Sequence, residues 1–212
     1  MNILEKRIIE LSYKNGLTHI GSCLSSVNVI DKIYQVKEKD SPFILSNGHA
    51  ALALYVALEK WEGKDAEKLW KKHGTHPNRD LKDGIYCSTG SLGMGITVAV
   101  GMALADRKKK VYVLMSDGEC AEGAVWEALQ VAAREKLENL NIAVVCNGYS
   151  AYGRVDVDDL DTRLNAFYPT LCFRTNLFNL PDWMQGLDAH YHVLSKEDYL
   201  YFGFHPTNEK TQ

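Results

Sequence analysis

The stretch VYVLMSDGECAEGAVWEALQVAAREKLENLNIAVVCNGYS, residues 111–150, decides the fold. Residues 111–115 are an apolar, β-prone run, stopped by the turn-forming Ser116-Asp117-Gly118. A helix is predicted from about residue 121 to 136, with Val125, Leu129, Ala132 and Ala133 facing inward. Asn139 and Asn141 mark a turn, and residues 142–145 form a second apolar strand ending at Asn147-Gly148. Two buried strands joined by a helical crossover imply a parallel sheet with a right-handed connection.

Working outward, residues 3–14 place Ile3, Leu4, Ile8 and Leu11 on one helical face. Ser25 and Ser26 are suited to cap a second helix that buries Val27, Ile30, Ile33 and Tyr34. A short strand at 43–45, a turn at Asn47-Gly48 and a helix over 50–60 follow. Residues 90–106 are apolar but rich in Gly and Ala, as suits a buried helix whose backbone approaches a neighbour closely. Residues 171–175 form one more strand, and 176–212 are expected to be irregular. The fold class is α/β, a doubly wound, mainly parallel sheet with helices on both faces. Residues 1–212 make one domain, shortened at its C-terminal end.

Composition excludes several function classes. With 212 residues, 46% of them hydrophobic, the chain can bury a substantial core. A net charge of −3 argues against nucleic-acid binding, and Lys108-Lys109-Lys110 is expected to be a solvated turn. The charged N-terminus lacks the apolar core of a signal peptide, and no apolar stretch is long enough to span a bilayer, so no membrane role is expected. Cys23, Cys87, Cys120, Cys146 and Cys172 are scattered without a C-x-x-C pair, the pattern of reduced thiols in a cytoplasmic protein.

In open α/β sheets ligands bind at the carboxyl ends of the strands, where Asp117 and Asn147 fall. A carboxylate, an amide oxygen and a nearby backbone carbonyl are hard donors that suit Mg²⁺ or Ca²⁺. Gly118 opens the following helix, whose N-terminal amides can hold a phosphate. From these residues alone a plainer reading stays open: Asp117 caps the helix, and Asn147-Gly148 turns the chain.

The segment SDGECAEGAVWEA (116–128), followed after one crossover by VVCNGYSAYG (144–153), resembles the thiamine diphosphate signature. Three further segments resemble transketolases in the same order: HIGSCLS (19–25), SNGHAALALY (46–55) and THPNRDLKDGIYCSTGSLGMGITVAVGMALA (75–105). The resemblance covers about residues 10–155 and identifies the chain as similar to the diphosphate-binding half of a split transketolase. It implies thiamine diphosphate and Mg²⁺ (or Ca²⁺) as cofactors, and transfer of a two-carbon ketol unit from a ketose to an aldose. By position it implies metal binding by Asp117, Asn147 and the Tyr149 carbonyl, and diphosphate binding by the amides of Gly118 and Glu119. Ser91, Leu92 and Gly93 would line the aminopyrimidine pocket, with the Leu92 carbonyl facing its amino group. His19, His49 and His76 would surround the reactive ring and move substrate protons, His49 also touching the cofactor, and Glu122 would communicate with a partner glutamate. His190 corresponds to a further family histidine.

Ser116 stands where the signature has Gly, and the C-terminal third is shorter than the family pattern, as though one strand and one helix were missing. The pyrimidine-binding domain does not follow residue 155, so a separate C-terminal subunit is expected, in a heterotetramer or a dimer of paired chains that acts on sugars or sugar phosphates. The alternatives are a deoxyxylulose-phosphate synthase and a non-catalytic thiamine diphosphate-binding or regulatory subunit. A generic nucleotide-binding domain is disfavoured, because the chain has neither a G-x-G-x-x-G turn nor a P-loop.

Overall fold

In the computed structural model, residues 1–175, 181–184 and 188–204 are described. Helices α1 (Ile3–Asn15) and α2 (Ile20–Val36) precede strand β1 (Phe43–Leu45). After a 3-10 turn at Gly48–Ala50 come α3 (Ala51–Glu62), α4 (Ala66–His73), α5 (Met94–Ala105) and β2 (Val111–Ser116). The crossover is a 3-10 turn at Gly118–Ala121 and α6 (Gly123–Arg134), leading to β3 (Leu140–Cys146). A hairpin of β4 (Tyr149–Ser150) and β5 (Gly153–Arg154), then α7 (Val157–Phe167) and β6 (Thr170–Arg174), complete the sheet region. Short helices α8 (Asp188–Tyr191) and α9 (Lys196–Tyr201) follow.

The main sheet has the order β1-β2-β3-β6 and is parallel throughout, in register Ile44↔Val113, Val113↔Ile142 and Val144↔Cys172. The period-2 alternation of a strand splits the core in two. Phe43, Leu45, Tyr112, Leu114, Ala143 and Val145 pack against α1, α2 and α3. Ile44, Val111, Val113, Met115, Ile142, Val144 and Cys146 pack against α5, α6 and α7. Burial on both faces explains why these strands read as continuous apolar runs, and it bears out the α/β sheet with helices on both sides. Among the described residues no helix is long and apolar enough to cross a membrane. All five cysteines are free, and Cys23, Cys87, Cys120 and Cys146 are buried.

Several local expectations are corrected. Ser25 and Ser26 do not cap α2, which already begins at Ile20. The Ser25 hydroxyl donates back to the Gly21 carbonyl at 2.8 Å, and Ser26 accepts from the Asn47 amide at 3.3 Å. Ile3 is 77% exposed, because the capping box of Asn2 and Glu5 makes it the first residue of α1, ahead of the packed turns. Ala133 is exposed, since helical spacing from Val125, Leu129 and Ala132 turns it outward. Asn141 lies inside β3; the turn instead rests on buried Asn139, whose amide donates to the carbonyls of Ala103, Asp106 and Lys109. Helix α5 is only partly buried, with Met94 47% and Leu104 37% exposed.

Gly118 does not open α6. Glu122 has extended backbone (φ −80°, ψ 131°), which separates the Gly118–Ala121 turn from the helix proper. Helix α7 was not anticipated; Asp156 caps it by accepting the amides of Asp158 and Asp159, and Leu160 and Leu164 bury its inner face. It gives β6 a complete crossover from β3 despite the shortened chain. The segment expected to be irregular holds, in its described part, α8 and α9, the latter started by a capping box of Ser195 and Asp198. The rest of 176–212 lies outside the described residues.

Candidate functional site

The parallel strands all end at one edge, and a pocket opens there. It is lined by His19, at the N-cap position of α2, and by Ser25 and Ser26 of α2, from the β1 end by Asn47 and His49, and from the β2 and β3 ends by Asp117, Glu119 and Asn147. Gly118, Tyr149, Ser150 and Leu92 complete one wall, and Met184, His190 and Tyr191 the other.

At one end the groups are oxygens. Asp117 is buried, and its carboxylate accepts the Gly148 amide at 2.6 Å and the Gly118 amide at 2.9 Å. The first bond ties the β2 end to the β3 end. Burial pushes the Asp117 carboxyl up to about 6, with the amides of Gly148, Gly118 and Asn147 pulling the other way. Asn147 Oδ1 accepts the Tyr149 amide at 2.9 Å, an Asx turn that shapes the loop. Gly118 is required by close approach: a Cβ there would stand 3.1 Å from both the Tyr149 carbonyl oxygen and Ser150 Cα. The Glu119 amide donates to the Ser116 hydroxyl at 3.2 Å, so Ser116 in the first signature position has a local partner.

Glu119 was expected to act through its amide, yet its side chain is the most buried charge at the site, with 0% exposure. Its Oε1 accepts the Ser46 hydroxyl and the Gly93 amide, the latter at 2.7 Å, and Oε2 faces the Ser116 amide at 3.4 Å. Burial raises its pKa, while those donors lower it. Ser46 approaches closely because Gly95 has no side chain; a Cβ there would lie 2.6 Å from Ser46 Cα.

At the other end are histidines. The His19 ring stands 4.1 Å from His190, 5.8 Å from His49 and 6.3 Å from His76, centre to centre, and His49 is 5.2 Å from His190. His19 has left-handed backbone (φ 63°), an uncommon conformation for a non-glycine residue. Its amide donates to the His190 carbonyl at 2.9 Å, and its Nδ1 lies 2.6 Å from the Thr18 hydroxyl. Burial and the neighbouring imidazoles lower His19 to about 4 and His49 to about 3, and burial with His76 lowers His190. At neutral pH His19, His49 and His190 are therefore uncharged.

His19, His49, Leu92, Asp117, Gly118, Glu119, Asn147, Tyr149 and His190 thus share one pocket. His76 adjoins it through His19. Ser91 is exposed, Gly93 is buried beneath the wall, and half-buried Glu122 packs against Gly93; none of the three is among the lining residues. The sequence reading missed Ser46 and Asn47, both buried, and Tyr191. Two polar residues directly after an apolar strand were the available signal for the first two. Asn47 Oδ1 has no hydrogen-bond partner among the described residues. Elsewhere His73, Asp80 and Asp83 converge, but Lys72 bridges both carboxylates at 2.9 and 2.6 Å, an ion cluster that does not line the pocket.

Comparison with known proteins adds a separate line. Residues 22–170 match the model of the transketolase, thiamine diphosphate binding domain. One subunit of the apulose-4-phosphate transketolase of Phocaeicola vulgatus is 37% identical over 66% of this chain and 56% of its own length. The 6-deoxy-6-sulfo-D-fructose transketolase subunit SqwG of Clostridium sp. (strain MSTE9) is 32% identical over 79% of this chain and 66% of its own length. The chain therefore spans only between half and two-thirds of these relatives. Among solved structures, a transketolase of Pichia stipitis aligns with TM-score 0.64 and 23% identity, over 82% of this chain and 36% of that one, which is a likeness of fold.

Proposed function

The chain belongs to the transketolase thiamine diphosphate-binding domain family, and on that premise we propose that it is the diphosphate-binding subunit of a split transketolase. It transfers a two-carbon ketol unit from a ketose to an aldose only together with a pyrimidine-domain subunit. The observation that carries this reading is the meeting of a hard-oxygen cradle and a histidine cluster in one strand-end pocket.

The cradle fits the cofactor. Asp117, Asn147 and the Tyr149 carbonyl would hold Mg²⁺ (or Ca²⁺), since hard oxygens plus phosphate and water satisfy such ions. Gly118 lets the β2 end and the Tyr149–Ser150 loop close on each other, since a Cβ there would stand 3.1 Å from the Tyr149 carbonyl oxygen, and this brings that carbonyl to the cradle. The amides of Gly118, now held by the Asp117 carboxylate, and of Glu119, now held by the Ser116 hydroxyl, would be the donors to phosphate oxygens. Of Ser91, Leu92 and Gly93, Leu92 lines the pocket and would meet the aminopyrimidine with its two neighbours behind it, and Glu122, packed beside Gly93, would face the partner subunit. Bound thiamine diphosphate supplies the electron sink for cleaving a carbon–carbon bond next to a carbonyl.

What this chain supplies is proton traffic and position. His19, His49 and His76 accept or return the hydroxyl protons of ketose and aldose, and burial within the cluster keeps His19 and His49 uncharged for that role. His190 carries the cluster onto the C-terminal segment. A non-catalytic binding subunit would need only the cradle, so the histidine cluster favours catalysis. The chain is one domain over 1–212, cytoplasmic, and assembles with its partner as a heteromer.

The test is reconstitution. The full chain with thiamine diphosphate, Mg²⁺ and a panel of ketose donors is expected to be inactive, and addition of a pyrimidine-domain subunit to restore ketol transfer. Robust turnover by the chain alone would overturn the half-site reading.

A further inference from the structure

The proposed chemistry leaves one buried group unused, the carboxylate of Glu119. Removing a carboxylate from water is expensive unless donors surround it, and a packing role would be filled as well by an apolar side chain. Here the donors come from three separate places: Ser46 beyond β1, Gly93 before α5, and Ser116 at the end of β2. The Gly93 bond has a geometric consequence. A peptide unit is planar and trans, so its N–H and its C=O point in opposite directions. The Gly93 amide aims at Glu119, at 2.7 Å, so the carbonyl of the same peptide, that of Leu92, aims away from Glu119. Leu92 lies on the pocket wall.

Two further contacts hold that peptide. Gly93 has left-handed backbone (φ 78°), and a Cβ there would press on Glu122 Cβ at 3.0 Å, so the residue is seated against the start of α6. The Ser46 hydroxyl bonds the same carboxylate oxygen that Gly93 uses, which fixes that oxygen in turn. A flip of the Leu92–Gly93 peptide would leave this buried carboxyl oxygen short of a donor.

We infer that Glu119 is a positioning residue: by holding the Gly93 amide it locks the Leu92 carbonyl toward the aminopyrimidine of the bound cofactor. The inference rests on the proposed thiamine diphosphate site. It assigns the Glu119 side chain to the ring end of the cofactor, whereas its own amide serves the diphosphate end.

Two probes separate those ends. Thiamine diphosphate carries the ring, while inorganic diphosphate offers the same metal and phosphate contacts without it. Calorimetric titration of the full chain in Mg²⁺ is expected to show thiamine diphosphate binding more tightly than inorganic diphosphate. Glu119→Ala should weaken thiamine diphosphate up to about 10-fold, the worth of one well-placed hydrogen bond, and leave inorganic diphosphate within about two-fold. Glu119→Gln, whose amide oxygen still accepts from Gly93 and Ser46, should restore the ring preference. Parallel loss of both ligands in Glu119→Ala would make Glu119 a support of the loops only and overturn the inference, as would equal wild-type affinity for the two. If Glu119→Ala fails to fold, Ser46→Ala, which loosens the same oxygen, must show a ring-selective loss of about three-fold; an unselective loss overturns the inference. A wild-type chain that binds neither ligand would instead sink the cofactor reading itself.

Discussion

At one end of the pocket the polar groups come from a single βαβ unit: Ser116 ends β2, Asp117, Gly118 and Glu119 follow it, and Asn147 and Tyr149 follow β3. At the other end His19, His49, His76 and His190 come from four segments far apart in the chain. The oxygen end is held by strand register and by backbone amides such as that of Gly148 donating to the Asp117 carboxylate, so its geometry follows once the sheet forms. The histidine end exists only after α2, the β1 loop, the 75–91 loop and α8 have packed together. On the proposed function the oxygen end would bind the cofactor and the histidine end would move substrate protons, so each can be perturbed without the other.

The strongest way to break the comparison is at Asp117. Asp117→Ala is expected to abolish Mg²⁺-dependent thiamine diphosphate binding while the fold persists, because an oxygen ligand and its tie to the Gly148 amide are lost but the apolar core on both sheet faces is untouched. Calorimetry alongside circular dichroism would check both halves of that statement, and undiminished affinity would remove Asp117 from the cradle.

The complementary change is His76→Ala in the reconstituted complex. Cofactor affinity should stay within a few-fold, whereas turnover should fall about 10²–10⁴-fold, the range for a lost general acid–base group. Steady-state kinetics with full cofactor loading distinguishes the two, and unchanged turnover would return His76 to a loop-packing role.

A smaller effect is expected where the two ends are joined. Gly95→Ala forces a Cβ against Ser46 Cα, so it should destabilise the fold by about 1–3 kcal/mol, the usual cost of overpacking. Chemical denaturation would measure this loss. Wild-type stability would show that the α5 start moves away from β1 freely.

The finest probe is pH. His19 and His49 titrate near 4 and 3 when folded and near 6.5 when unfolded. The unfolded chain therefore binds more protons between these values, and stability rises with pH there. The histidine contribution is complete above about 6.5 and is lost as pH falls toward 4. His49→Gln should flatten that dependence by up to about one proton per unfolding event. An unaltered slope would mean that His49 is not buried in its neutral form.

Much of this was legible locally. The strands at 43–45, 111–115 and 142–145 declared themselves as apolar runs, because sheets covered on both faces need no polar alternation. Asp117 and Asn147 declared themselves because turn residues that end such strands must fall at the ligand edge. Helix α7 was hidden among acidic residues, although Asp156 before Asp158 and Asp159 is a cap signal. Ser25 and Ser26 misled, because serine caps helices in general but here fills a buried corner near Asn47.

By itself the sequence determined the sheet, the family resemblance and the residue types of both ends of the pocket, since these depend on periodicity and short-range spacing. Only the tertiary structure decided that Glu119 turns its carboxylate inward to Ser46 and Gly93, that His190 reaches His19, and that Glu122 breaks the helix ahead of α6. The physical reason is that a buried charge takes its partners from whichever loops the packed helices bring to it, and those loops are distant in sequence.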